Sequence, residues 1–182
     1  MKNKISDAVK TDHRELEHYY HIIVNSTNPG ERTKYQNQFV WELARHSVGE
    51  ELVLYPAMEK LMGAEGERLT AKDRKEHQVA KEQLQEFQST DASDPKFMDR
   101  IKELMDNLAE HIKEEENIDL VKIEELLDPT ESDEMAASFE RTKMFVPTRS
   151  HPGAPNKPPF ETAVGLLTAP IDKVADLFRS FP

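Results

Sequence analysis

The stretch HSVGEELVLYP, residues 46–56, sets His46 four residues ahead of Glu50, with Glu51 next in line. On a helix, positions i and i+4 share a face. Apolar residues extend that face in both directions: Phe39 and Leu43 precede the pair, and Val53 and Ala57 follow it. One histidine–glutamate pair of this kind is ordinarily a side-chain contact worth a few tenths of a kcal/mol. Its place in the middle of an apolar stripe is what calls for a second explanation.

The same interruption occurs on three other segments. Residues from about 4 to 26 carry Val9, His13, Leu16 and Tyr20 at helical spacing; residues from about 70 to 90 carry Asp73, His77, Ala80 and Leu84. Residues from about 95 to 127 carry Leu104, Leu108, His111, Glu115 and Ile118. With the segment from about 31 to 62, this makes four amphipathic helices. Short breaks such as NSTNPGE and GAEGE separate them. Thr70 with Asp73 reads as a capping box, and Asp94 with Pro95 as an N-cap and first helical residue. Long helices on short connections predict an all-α, up-down-up-down four-helix bundle. Pro56 predicts a kink or break within the second helix.

The composition shifts after the fourth helix, dividing the chain into residues 1–127 and an extension, 128–182. Residues 130–144 can form one more short helix. Seven of the eleven prolines follow residue 146, which predicts an extended, Pro-rich strap. The strap leads into a terminal helix with Thr168 as cap, Pro170 at its first position, and a stripe of Ile171, Val174, Phe178 and Phe181. The strap would cross the bundle and its helix pack back on it. The alternative is a homodimer formed through that C-terminal helix.

A formal charge of −11 repels nucleic acid and anionic lipid, so neither is expected as a partner. Cysteine is absent, which excludes disulfides and thiolate ligands. The start MKNKISDAVKTDH has no apolar core of a secretory signal, and no run of about 18 apolar residues exists. A cytoplasmic setting is the expectation.

The histidines on the four stripes can be compared in height. His13 and His46 stand about 14 and 15 residues from the turn between them, and His77 and His111 about 14 and 16 from theirs, which at 1.5 Å per residue brings each pair to nearly one level. Four histidines and at least two carboxylates, Glu50 and Glu115, therefore aim at one region of the core. An unpaired buried carboxylate costs several kcal/mol, against about 5–15 kcal/mol of net stability for a whole domain. The stripes hold no Lys or Arg to compensate it, and a metal cation does so directly. Nitrogen and oxygen ligands suit iron, manganese or zinc. Two central carboxylates suit two ions bridged by both. The Glu-x-x-His spacing of ferritin-like sites is found only at Glu15 and His18, and the key pairs here run in the opposite order.

The set DH at 12–13, HSVGEELVLYP at 46–56, EH at 76–77 and HIKEEE at 111–116 resembles the hemerythrin-like family, or HHE cation-binding domain, over residues 4 to about 127. The resemblance implies a four-helix bundle around two iron ions with an oxo or hydroxo bridge. His13 and His46 would serve one iron, His77 and His111 the other, and Glu50 and Glu115 would bridge them. Manganese or zinc are the alternatives. Oxygen-carrying hemerythrins have a fifth histidine where this chain has Asp73, which is a ligand or a helix cap, the cap being favoured. Glu17 and Glu51 are candidate extra ligands or supports. Tyr20 is a core aromatic or a donor to a bound oxygen species, while His18 and His151 are expected in solvent. The function that follows is a metal-binding protein that binds or senses dioxygen or holds iron, with a small diatomic molecule or peroxide as ligand. The alternative is a di-iron enzyme that activates oxygen or removes peroxide or nitric oxide.

Overall fold

The computed structural model describes residues 4–157 and 160–182, and every regular element among them is helical. Helix α1 spans Ile5–Asn25 and α2 spans Pro29–Gly49. Asn28 caps α2, its Oδ1 accepting from Gly30 N at 2.8 Å and Glu31 N at 3.3 Å. From α2 the chain passes through a π-helical turn, Glu50–Leu54, into α3, Tyr55–Met62. Helix α4 is Ala64–Gln88 and α5 is Phe97–Glu114, which continues through a second π turn, Glu115–Asp119, into α6, Leu120–Leu126. Helix α7, Pro129–Lys143, starts with a capping box made by Asp128 and Glu131, and α8 is Phe160–Asp176.

Two apolar clusters form the core. One gathers Leu16, Phe39, Leu84, Phe87 and Ile101 from α1, α2, α4 and α5. The other gathers Val9, Leu54, Met58, Leu120 and Phe139 from α1, the first π turn, α3, α6 and α7. The histidines and glutamates singled out above lie at the border of the two clusters in sequence on each helical segment. Helix α7 belongs to this packing: Phe139 is fully buried, and α7 contacts both α1 and α2.

Several local expectations are corrected. Helix α4 begins at Ala64, so Thr70 and Asp73 lie within it and do not cap it. Gly63, at φ +59°, turns the corner in one residue, and Gly66 lies so near the Met58 carbonyl that a Cβ would come within 2.2 Å of its oxygen. The Thr70 hydroxyl instead donates to Glu59 Oε1 at 2.7 Å. Helix α5 starts two residues after Pro95, because Asp94 Oδ1 accepts from Lys96 N at 2.8 Å and closes a turn first. Ile118 is exposed and Asp119 buried, since the extra residue of the π turn rotates the face that follows. The expected break near Pro56 is the first π turn. The second occurs with no proline nearby.

The strap runs along α4. Ser150 Oγ donates to the Lys81 carbonyl at 2.5 Å, Gln78 Nε2 to that of Pro152 at 3.1 Å, and Arg74 Nη1 to that of Asn156 at 2.9 Å. Thr168 and Pro170 lie inside α8, where the Thr168 hydroxyl bonds back to the Val164 carbonyl at 3.0 Å and does not act as a cap. The inward side of α8 carries Ala169 and Asp172, whose Oδ2 accepts from the Thr148 and Arg149 amides. His151 is half-buried, with Nε2 2.9 Å from the same oxygen, and so is not a solvated strap residue.

Candidate metal centre

Each of the four histidines turns Nε2 inward. His46 Nε2 lies 3.1 Å from Glu50 Oε1, and His77 Nε2 lies 3.4 Å from Glu50 Oε2. His13 Nε2 lies 3.3 Å and His111 Nε2 4.0 Å from Glu115 Oε2. Each glutamate therefore faces two histidines from different helices. Both glutamates open a π turn, with the Tyr55 amide donating to the Glu50 carbonyl and the Leu120 amide to that of Glu115. Such bulges widen the helix by one residue and commonly accompany functional sites.

The outward ring nitrogens are equally ordered. His13 Nδ1 is 2.9 Å from Glu116 Oε1, and His46 Nδ1 is 3.1 Å from Asp12 Oδ2. His77 Nδ1 is 3.0 Å from Glu51 Oε1, and His111 Nδ1 is 2.9 Å from Glu76 Oε2. A carboxylate on Nδ1 fixes the tautomer that leaves Nε2 free to bind a cation. Each of these four carboxylates in turn meets its own cation: Glu116 meets Arg14, Asp12 meets Lys143, Glu51 meets Lys81 and Glu76 meets Lys72.

The arrangement repeats internally. Asp12-His13 corresponds to Glu76-His77, and His46 with Glu50-Glu51 corresponds to His111 with Glu115-Glu116. The His13–His46 and His77–His111 ring pairs have the same geometry, with centroids 4.9 Å apart and planes at 69°. Three positions break the repeat. Tyr55, Asp73 and Asp119 on the His77–His111 side correspond to Leu120, Val9 and Leu54 on the other. The Tyr55 hydroxyl is 3.0 Å from His77 Nε2. Burial, with Asp119 and Glu115 nearby, pushes the Asp73 carboxyl up to about 8. Burial and Glu115 push Asp119 up to about 6.

Charge and hydrogen bonding test whether these residues fit a metal. Both oxygens of Glu50, both of Glu115, and His13 Nε2 are buried without a hydrogen-bond donor or acceptor. The four outer carboxylates have lysine or arginine partners; the ion-pair partners of Glu50 and Glu115 among the described residues are histidines. In the metal-free chain, burial opposes the imidazolium at His46, but Glu50 and Asp12 outweigh it and hold its pKa well above the usual value. His13, His77 and His111 are raised in the same way by their own carboxylates. Ligand atoms of His13, His46, Glu50 and Glu115 lie within 4.8 Å of one another, as do those of Glu50, His77 and His111. This is a donor set of nitrogen and oxygen lone pairs of the kind that holds cations. A cleft of about 220 Å³ between α4 and α5, lined by Val79, Ala80 and Leu108, reaches His77 and His111.

Residues 4–123 match the hemerythrin HHE cation-binding domain. The chain belongs to the hemerythrin-like family. An uncharacterised hemerythrin-like protein of Schizosaccharomyces pombe is 54% identical over 179 residues, covering 98% of this chain and 88% of that one. A DNA nickase of a Nostoc species is 27% identical over 145 residues, covering 80% of this chain and 40% of that protein. No solved structure matches.

The structure brings together all six hemerythrin-like residues picked out by spacing: His13, His46, Glu50, His77, His111 and Glu115. Glu17 is not among them; it pairs with Arg14 at 3.0 Å on the surface. Tyr20 is partly buried and packs against the first apolar cluster. Tyr55 is the tyrosine at the site, and its place five residues after Glu50 became informative only once the π turn was known. Asp119 was hidden for the same reason. Asp73 is no cap; its carboxylate lies with Glu76 and His111 in a third group of ligand atoms within 4.8 Å.

Proposed function

We propose that this cation-binding centre holds two iron ions and that the protein binds or senses dioxygen, or holds iron. The observation that carries the reading is the convergence of four inward Nε2 atoms on Glu50 and Glu115, whose carboxylate oxygens have no hydrogen-bond partner. His13 and His46 would serve one ion and His77 and His111 the other, with Glu50 and Glu115 each spanning both pairs. Two irons would supply electrons to a small oxidant. The chain's own residues fix the imidazole tautomers through Asp12, Glu51, Glu76 and Glu116, and Tyr55 offers a hydroxyl on the His77 side. That hydroxyl and the adjacent cleft favour a second reading, a di-iron enzyme that activates oxygen or removes peroxide or nitric oxide.

The test is anaerobic loading with ferrous iron, metal analysis, and an optical spectrum before and after air. About two irons per chain with new near-ultraviolet bands is the expected result. Bands that reverse under vacuum mark a carrier or sensor; steady turnover of peroxide or nitric oxide with a reductant marks the enzyme. A chain that takes up no iron overturns both.

The reading extends to architecture. Along α1 the chain passes from the second apolar cluster to the first, along α2 and α3 back again, and α4 and α5–α6 repeat the alternation. This supports an up-down-up-down four-helix bundle over residues 1–127, with 128–182 as an extension. Among the described residues no helix is long and apolar enough to cross a membrane, and a cytoplasmic site of action is part of the proposal. On α8, Leu167, Ile171 and Val174 are exposed, and Phe178 follows in the turn after it, at alternating spacings of four and three like the seam of a coiled coil. A homodimer through this face predicts that Ile171→Glu with Phe178→Glu yields a monomer by sedimentation while iron uptake is unchanged; a wild-type chain already monomeric at high micromolar concentration counts against it.

A further inference from the structure

The four cations of the outer layer differ in burial. The side chains of Arg14 and Lys72 are 54% and 44% exposed, that of Lys81 is 12% exposed, and that of Lys143 is 4% exposed. Lys143 also differs in origin. It lies at the end of α7, outside residues 4–123 that match the family. Its ammonium donates to both oxygens of Asp12 at 2.7 Å, and lies 3.2 Å from Glu140 and 3.7 Å from Glu42. Asp12 Oδ2 is the oxygen 3.1 Å from His46 Nδ1.

The rest of α7 is fitted to the same histidine. The Phe139 ring meets His46 edge-on, with centroids 6.0 Å apart and planes at 90°. Helix α2 admits that ring through Gly49, where a Cβ would stand 2.8 Å from Phe139 Cε2. A buried aspartate held only by an imidazole could rotate between partners. With an ammonium on both oxygens, Asp12 has one orientation, and so has the imidazole that bonds to it. At solvent-exposed Arg14 and Lys72, water can take over the same task.

We propose that Lys143 is a positioning residue of the metal centre, acting through Asp12 to set His46, and that α7 is therefore part of the metal-binding unit. This rests on the two-ion reading above. Its consequence is an asymmetric site. Loss of the Lys143 charge weakens the ion served by His13 and His46 and leaves the ion served by His77 and His111 unaltered.

The test is ferrous iron binding to the full chain under anaerobic competition with a chromogenic chelator, alongside thermal melts of metal-free protein. Wild type is measured first. If it binds no iron, the two-ion reading fails and the Lys143 proposal, which rests on it, falls with it. With two ions bound to wild type, Lys143→Met is expected to bind one ion at wild-type affinity and the other about 10–100-fold more weakly. Lys143→Arg, which keeps a charged fork for Asp12, should recover most of that loss, and Arg14→Met should change either affinity less than about threefold. If the methionine variant does not fold, Lys143→Gln, which keeps N–H donors but no charge, supplies the comparison. Two wild-type affinities in the Met or Gln variant overturn the proposal, and so does an equal loss at both ions that follows the fall in melting temperature.

Discussion

Glu50→Gln gives a folded chain that takes up neither ion with wild-type affinity. The two oxygens of Glu50 face different histidines, 3.1 Å from His46 Nε2 and 3.4 Å from His77 Nε2. An amide keeps one acceptor oxygen, replaces the other with a donor, and removes a negative charge from a site whose remaining inner charge is Glu115. Loss of an outer partner of a metal ligand costs about 10–100-fold in affinity. Loss of a residue that reaches both halves should cost at least about 100-fold at each. The fold should survive, because the amide relieves a buried carboxylate that has no hydrogen-bond donor. Chelator competition on the variant is the measurement, with Glu17→Gln as the control expected to bind as wild type. Retention of two tightly held ions by the Glu50 variant would remove Glu50 from the centre.

Much of this arrangement is legible in sequence because its two requirements leave periodic traces. A helix buried on one side writes its core at intervals of three and four, and a polar residue on that stripe stands out. His13, His46, His77 and His111 were visible for that reason. What could not be read depends on departures from 3.6 residues per turn. Each π turn adds a residue directly after the ligand pair, and every residue beyond it changes face. Ile118 accordingly went outward and Asp119 inward, and Tyr55 reached the site. The start of α4 was obscured differently. One left-handed glycine, Gly63, does what the five-residue break GAEGE was expected to do. Lys143 was hidden because it lies about 130 residues from Asp12, and a buried lysine has no periodic signal.

The same charges make the stability of the protein depend on metal and pH in a definite direction. In the metal-free chain the four histidines have pKa values raised above the ordinary value of 6.5. Their stabilisation is complete below that ordinary value and disappears as pH rises through the folded one. Asp73, raised from 3.8 to about 8, holds a proton when folded that the unfolded chain has lost, and Asp119, raised to about 6, does so over a shorter range. Above about pH 6, where the carboxylates lowered on folding, such as Glu50, Glu76 and Glu116, are ionised in both states, the folded chain therefore binds more protons than the unfolded one, and stability falls as pH rises. Metal ions require neutral imidazoles, so they replace those protons, and their binding tightens over the same interval. Free metal at about 1,000 times its dissociation constant adds about 4 kcal/mol per ion. Two ions at pH 8 should then raise the melting temperature by roughly 15–30 °C for a chain of this size. At pH 5.5 the gain should shrink to a small fraction of that, and loading at pH 7.5 should release protons measurable by pH-stat. A gain of equal size at both pH values would mean that the metal binds where no protons are displaced, away from these histidines.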